Sequence, residues 1–219
     1  APNLSQLAGA GGQGQLLIRE PDNDLPDTAL GLTTLLYEEH QPVLGRGLLE
    51  ALGAGIPLTH DMILFRGNLA TLGDDGVILD RRAGRIRTGV AGLLAELRDI
   101  PLPGGVTGFI YPGHEHRVVV ALKGPGLSPA VSDTDPGIHT VMERPINASA
   151  EDDTPEAART AEALTALLLA VRTQLKDHPI NQARVEQSLR PANAILTRGA
   201  ESASALGTIP RPRRVSAMI

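Results

Sequence analysis

Two strand-like runs joined by Gly73-Asp74-Asp75-Gly76 constrain this chain more than any other feature. Met62 to Thr71 and Val77 to Arg81 read as strands, and a Gly/Asp junction of four residues between them is a hairpin signal. Thr107 to Tyr111 and Arg117 to Leu122 repeat the pattern across Pro112-Gly113-His114-Glu115-His116. Strands joined this way run antiparallel, so the sheet is not built from parallel crossover units. Gln15 to Arg19, Ile138 to Glu143 and Ala194 to Thr197 read as further strands, and Val215 to Ile219 as one cut short.

The helical segments are legible from caps and periodicity. Thr154 is an N-cap, Pro155 occupies the first helical position and Glu156 sits near the positive helix end. Ala157, Ala161, Leu164, Leu168, Val171 and Leu175 then recur every three or four residues. The helix should stop before His178-Pro179, because proline disfavours helical backbone at the preceding residue. His178 is expected to face the negative end of that helix, Asn181 to cap a short helix to Leu189, and Asn193 to close the same loop. Thr88 reads as the cap of a helix burying Val90, Leu93, Leu94 and Leu97. Gly45-Arg46-Gly47 reads as a break before Leu48, Leu49, Leu52 and Ile56 at helical spacing. Pro2 to Ala8 and Thr28 to Tyr37 read as helical, Asp22 to Asp27 as loop, Asn147 to Asp153 as a polar linker, and Arg211 to Arg214 as a basic segment. Hairpins mixed irregularly with helices predict an α+β (mixed α/β) fold, an antiparallel-rich sheet covered by helices.

Composition narrows the chemistry. Aromatics make up 2% of the 219 residues, so the core must be built from interdigitating aliphatics. No cysteine is present, which excludes disulfides, thiolate metal sites and cysteine nucleophiles. A net charge of -5 argues against a nucleic-acid partner, and no apolar run is long enough for a membrane helix. Eighteen of the twenty basic residues are arginines, whose planar forks bind phosphate and carboxylate bidentately.

Six motifs then fall in order. They are Gly45-Arg46-Gly47-Leu48-Leu49-Glu50-Ala51-Leu52-Gly53-Ala54-Gly55-Ile56; Phe65-Arg66-Gly67-Asn68-Leu69-Ala70-Thr71; Asp80-Arg81-Arg82-Ala83-Gly84-Arg85-Ile86; Tyr111-Pro112-Gly113 with Arg117; Ser132-Asp133-Thr134-Asp135-Pro136; and His178-Pro179-Ile180-Asn181 with Arg184, followed by Pro191-Ala192-Asn193-Ala194-Ile195-Leu196. The series resembles the archaeal-type, cofactor-independent phosphoglycerate mutases of the alkaline-phosphatase-like superfamily. The resemblance implies interconversion of 2- and 3-phosphoglycerate through a transiently phosphorylated serine, with two divalent metal ions (manganese or magnesium). It also implies three regions: a remnant of the phosphatase-like α/β core over 1–44, an inserted substrate-closing domain over 45–200, and a return segment over 201–219.

The chain departs from that family at a specific place. The nucleophile motif corresponds to Leu25-Pro26-Asp27-Thr28-Ala29-Leu30, with Pro26 where the serine should stand. Proline has no nucleophilic atom. The Asp and His metal-ligand clusters expected before Pro2 and after Ile219 are also missing from the sequence. The expectation is therefore a catalytically defective relative with no catalytic or metal residue of its own in this chain. Two alternatives stand beside it: a segment of a functioning metal-dependent mutase or phosphohydrolase, and a non-catalytic binding protein. The expected ligand is a phosphorylated acid such as phosphoglycerate, with a second copy of the chain an allowed partner and a cytoplasmic location. The resemblance nominates Arg46, Arg66, Asn68, Arg85, Arg117 and Arg184 as substrate-binding. Each arginine could equally be an ordinary surface or ion-paired one. Asp133 and Asp135 are candidates to bind a metal or orient a hydroxyl, or else to cap a turn or pair an arginine. His114, Glu115 and His116 look like metal ligands, but strand alternation would turn Glu115 away from both histidines, which favours a solvated turn.

Overall fold

The computed structural model describes residues 44–137 and 144–208, together with Gln6, Gly9 and Ala10, which are helical. The readings over 15–37, 138–143 and 211–219 lie outside the described residues. The chain divides into two units, Ala1–Val43 with Arg211–Ile219, and Leu44–Pro210; every element named below belongs to the second.

That unit is α+β. Helix α1 (Arg46–Gly53) precedes strand β1 (Met62–Leu72), which turns into β2 (Ile78–Asp80). Helix α2 (Val90–Leu93), β3 (Ile100–Leu102), β4 (Val106–Pro112) and β5 (Arg117–Lys123) follow. Helix α3 (Pro155–Lys176), α4 (Pro179–Glu186) and β6 (Ala194–Ser202) complete it. The sheet order is β2-β1-β5-β4-β3, β6 also pairs with β1, and every strand pairing is antiparallel. Both expected hairpins form, β1–β2 and β4–β5.

The two faces of the sheet are covered differently. On one, Phe65, Leu69, Val118, Val120 and Ile110 meet Leu164, Leu167, Val171 and Leu175 of α3 in the largest apolar cluster. A fully buried aliphatic side chain contributes about 1.5–3 kcal/mol. Gly108 lets α3 settle, since a Cβ there would lie 2.6 Å from Leu167 Cδ1. Leu167 rather than Leu168 completes the buried stripe; Leu168 is partly buried at its flank. The opposite face carries two smaller clusters, one of Leu48, Ala51, Leu64, Val119 and Ala121, the other of Ala70, Leu72, Ile78, Ala194 and Leu196.

Helix ends differ from expectation in three places. Arg46 and Gly47 are inside α1, capped by Gly45, rather than forming a break. The break-like pair of glycines serves packing: a Cβ on Gly47 would lie 2.2 Å from the Leu64 carbonyl oxygen, so helix backbone rests on strand backbone. The cap of α2 is Gly89 in the left-handed region (φ 79°), which a threonine adopts poorly, and not Thr88. The cap of α4 is His178, whose Nδ1 accepts the Ile180 N–H at 3.1 Å, and α4 ends at Glu186 rather than Leu189. Thr154 caps α3 as read, accepting from the Ala157 N–H. No described helix is long and apolar enough to cross a membrane.

Candidate functional site

Between the two smaller clusters, the second face of the sheet turns polar. Alternation along β1 puts Arg66 and Asn68 on the side of Leu64 and Ala70. Register then brings in neighbours: Arg198 of β6 lies opposite Arg66, and Arg117 of β5 opposite Asn68. The close seat of Gly47 carries Arg46 and Glu50 of α1 onto the same band. Gly199 (φ 63°) supports this approach, because a Cβ there would come within 2.9 Å of the Arg46 Cβ. Arg46, Arg117 and Arg198, from α1, β5 and β6, thus act on Arg66 of β1, with Glu50 beside Arg66 and Arg117.

The glutamate does not satisfy them. Glu50 Oε2 stands 3.8 Å from Arg66 Nε and Oε1 4.0 Å from Arg117 Nη1, both too long for hydrogen bonds. Among the described residues, Nε of Arg46, Arg66 and Arg198 and Oδ1 of Asn68 are buried with no hydrogen-bond partner. Leaving a buried polar group unpaired costs about 1–3 kcal/mol. Burial and then the field of Arg117 push the Arg66 guanidinium below its ordinary pKa, and Arg46 and Arg198 add to the shift while Glu50 opposes it. The band therefore holds excess positive charge and unpaired donors. Its chemistry suits a small anion with several oxygens, such as phosphate or carboxylate.

The loop carrying the Asp133-Thr134-Asp135 motif lies along the outer edge of β6. Thr134 and Asp135 N–H both donate to the Thr197 carbonyl, at 2.9 and 3.2 Å. The Thr134 hydroxyl accepts the Thr197 N–H at 2.9 Å, and Asp133 Oδ1 accepts the Gly199 N–H at 2.7 Å. Asp135 is fully buried and pairs with both Arg81 and Arg198. Of the two roles open to this carboxylate pair, the contacts are those of capping and arginine pairing.

The structure brings together Arg46, Arg66, Asn68 and Arg117, with Asp133 and Asp135 alongside through Arg198. Two nominated residues lie elsewhere. Arg85 is exposed in the short turn Ala83–Arg85 after β2. Arg184 donates to the carbonyls of Arg190 and Ala83, at 2.9 and 3.1 Å, tying two turns together. The histidine turn also differs from the strand-end reading. Glu115 has φ 54°, and this turn backbone places its carboxylate 3.9 Å from both His114 Nε2 and His116 Nδ1 instead of away from them. Arg87 Nε takes the same carboxylate at 2.9 Å. His116 is buried, and burial, then Arg82 and Arg117, push its pKa below the ordinary value. Its Nδ1 is buried without a hydrogen-bond partner among the described residues. Glu50, Arg81 and Arg198 were not nominated from sequence, and His116 was considered there only as a metal ligand. For Arg198 a signal existed: extending the Ala194–Thr197 strand by one residue places it on the face of Leu196. For the others the positions are set by contacts between distant segments.

The comparisons with known proteins agree on one group. Residues 27–181 match the family model described as 2,3-bisphosphoglycerate-independent phosphoglycerate mutase. The chain belongs to that family. A relative of that name from Methanocorpusculum labreanum is 38% identical over 219 residues, which is 100% of this chain and 53% of the relative. Another, from Methanothermobacter thermautotrophicus, is 36% identical over 201 residues, 91% of this chain and 49% of the relative. The solved cofactor-independent phosphoglycerate mutase from Thermoplasma acidophilum superposes with a TM-score of 0.69 at 35% identity, covering 83% of this chain and 48% of that one. The chain thus spans about half the length of the curated relatives it matches. The family reaction implies divalent metals, and the described residues do not fit them: no group of three or more His, Asp or Glu side chains among them could hold a metal ion.

Proposed function

We propose that the Leu44–Pro210 unit is the substrate-closing domain of a phosphoglycerate-mutase-family protein, and that its arginine band binds the phosphate and carboxylate of an acid such as phosphoglycerate. The observation that carries this reading is the set of buried Nε atoms on Arg46, Arg66 and Arg198 that have no hydrogen-bond partner among the described residues, on one face with Asn68 and Arg117. A folded protein leaves buried donors unpaired rarely. An anion would pair them and neutralise the charge that depresses Arg66. Each charge-assisted bond would contribute about 1.5–3 kcal/mol.

This chain by itself binds without turning over. Pro26 stands at the position of the family's phosphorylated serine, and a ring nitrogen inside an amide offers no nucleophile. The family's glycolytic chemistry would place the protein in the cytoplasm. A second reading, a segment of a functioning mutase, is favoured by the coverage of about half of each relative; Pro26 would still bar a phosphoserine at that position.

Titration of the purified chain with 3-phosphoglycerate, followed by calorimetry, should show saturable binding that weakens with salt. A coupled assay for 2-phosphoglycerate, supplied with manganese or magnesium, should stay at background. No binding at millimolar ligand would refute the anion site, and metal-dependent turnover would refute the inactive reading.

A further inference from the structure

Asp135 is occupied on both oxygens. Oδ1 accepts the Arg81 Nε at 2.9 Å, the Arg81 Nη2, and the Gly137 N–H at 3.2 Å. Oδ2 accepts the Arg198 Nη2 at 2.6 Å. The side chain is 0% exposed, so it cannot touch a ligand in solvent. The loop that carries it cannot drift, because Thr134 is bonded through its hydroxyl and main chain to buried Thr197, the residue before Arg198. Arg198 is therefore gripped at one terminal nitrogen while its buried Nε stays without a hydrogen-bond partner among the described residues. One carboxylate shared by two guanidiniums also leaves the Arg81–Asp135–Arg198 group with a formal charge of one positive unit.

We infer that Asp135 is a positioning residue that aims Arg198 at the anion site, and that Arg81 is the counter-cation that keeps Asp135 from cancelling the charge of Arg198. The inference rests on the anion-binding reading and deepens it. Asp135 acts through Arg198 and touches no ligand. Arg81 contributes through its charge and through the hydrogen bonds of its Nε and Nη2 to Asp135 Oδ1. The recognised chemistry is a phosphate or carboxylate held by an arginine whose orientation is set before binding, which lowers the ordering cost of association.

The substitution Asp135→Asn decides between positioning and simple charge. It adds one positive unit beside the site, so a pure field effect would tighten 3-phosphoglycerate binding. Loss of Arg198 orientation weakens it, and the expected result is a Kd raised about 10-fold or more. The second readout needs no ligand. In nitrogen-detected NMR of the wild-type chain, Arg198 should show slow rotation about Nε–Cζ, and Asp135→Asn should abolish that signature. If Asp135→Asn does not fold, Arg81→Met and Arg81→Lys carry the test with Asp135 in place. Arg81→Met should raise the Kd about 5- to 10-fold by removing a nearby charge, with Arg198 still slow in rotation, and Arg81→Lys should restore affinity to within about 2-fold. Tighter or unchanged binding in Asp135→Asn, an unaltered Arg198 signature, or an unchanged Kd in Arg81→Met overturns the inference. Absence of binding by the wild-type chain would instead remove the anion-site reading, and the Arg198 signature would still decide whether Asp135 positions it.

Discussion

The turn from His178 to Asn193 and the arginine band of β1 use the same kinds of residue with opposite outcomes. In the turn, every amide and guanidinium group named has found a partner inside the protein. Asn181 is 1% exposed, donates to the carbonyls of Leu175 and Ala192 at 2.7 and 2.9 Å, and accepts the Ala192 N–H at 2.8 Å. Asn193 exchanges a pair of hydrogen bonds with the main chain of Leu72, at 2.8 and 2.9 Å. Arg184 holds two carbonyls. In the band, Asn68 and three arginines keep buried atoms without partners among the described residues. A satisfied polar network holds the chain together, whereas an unsatisfied one with a net charge is prepared for something else. Residue type does not separate the two regions; the destination of each hydrogen bond does.

That contrast breaks or sharpens by substitution. The largest expected effect is Asn181→Ala. It removes three buried hydrogen bonds and leaves the Ala192 N–H and carbonyl without that partner, while the Leu175 carbonyl keeps the His178 N–H at 3.3 Å, and it should lower the unfolding free energy by about 3–5 kcal/mol. Urea unfolding measures this, and 3-phosphoglycerate affinity of the folded fraction should stay within about 2-fold. A loss below 1 kcal/mol would mean that the turn is not held by its side chains.

Arg66→Met should show the reverse. Binding of 3-phosphoglycerate should weaken by about 1.5–3 kcal/mol. Stability should change by no more than about 0.5 kcal/mol, because Arg66 has long ion contacts and like-charged neighbours to lose. Calorimetry and urea unfolding on one preparation give both numbers. A destabilisation as large as that of Asn181→Ala would erase the distinction between the regions.

The smallest effect is a pH dependence centred on His116. Its folded pKa lies below the ordinary value of 6.5 because the buried neutral imidazole is favoured. Between those two values the unfolded chain binds more protons than the folded one. The contribution of His116 is thus fully present above pH 6.5 and is lost as the pH falls towards its depressed folded value. His116→Gln should flatten that slope of stability against pH. Saturating the arginine band with phosphoglycerate should reduce it as well, since an anion offsets Arg82, Arg117 and Arg66. An identical slope in the variant would assign the effect to another group.

Sequence by itself determined the antiparallel hairpins, the long capped helix and the family. Gly73-Asp74-Asp75-Gly76, Thr154-Pro155-Glu156 and His178-Pro179 are local signals, in which backbone preference and the nearest hydrogen bonds settle the outcome within a few residues. Arg46, Arg66, Asn68 and Arg117 were also visible, because they sit inside motifs. Only the tertiary structure decided which of the nominated residues share a face. β1 pairs with β6 across more than a hundred residues of intervening chain, and that register alone puts Arg198 opposite Arg66. Gly47 looked like a break because sequence cannot show that a strand backbone lies 2.2 Å from where its Cβ would be. For Asp135 the sequence left both a functional role and arginine pairing open; the fold supplies the pairing, because Arg81 and Arg198 lie 54 and 63 residues away. Long-range pairing is written into no local propensity; it follows from burying both faces of one sheet at once.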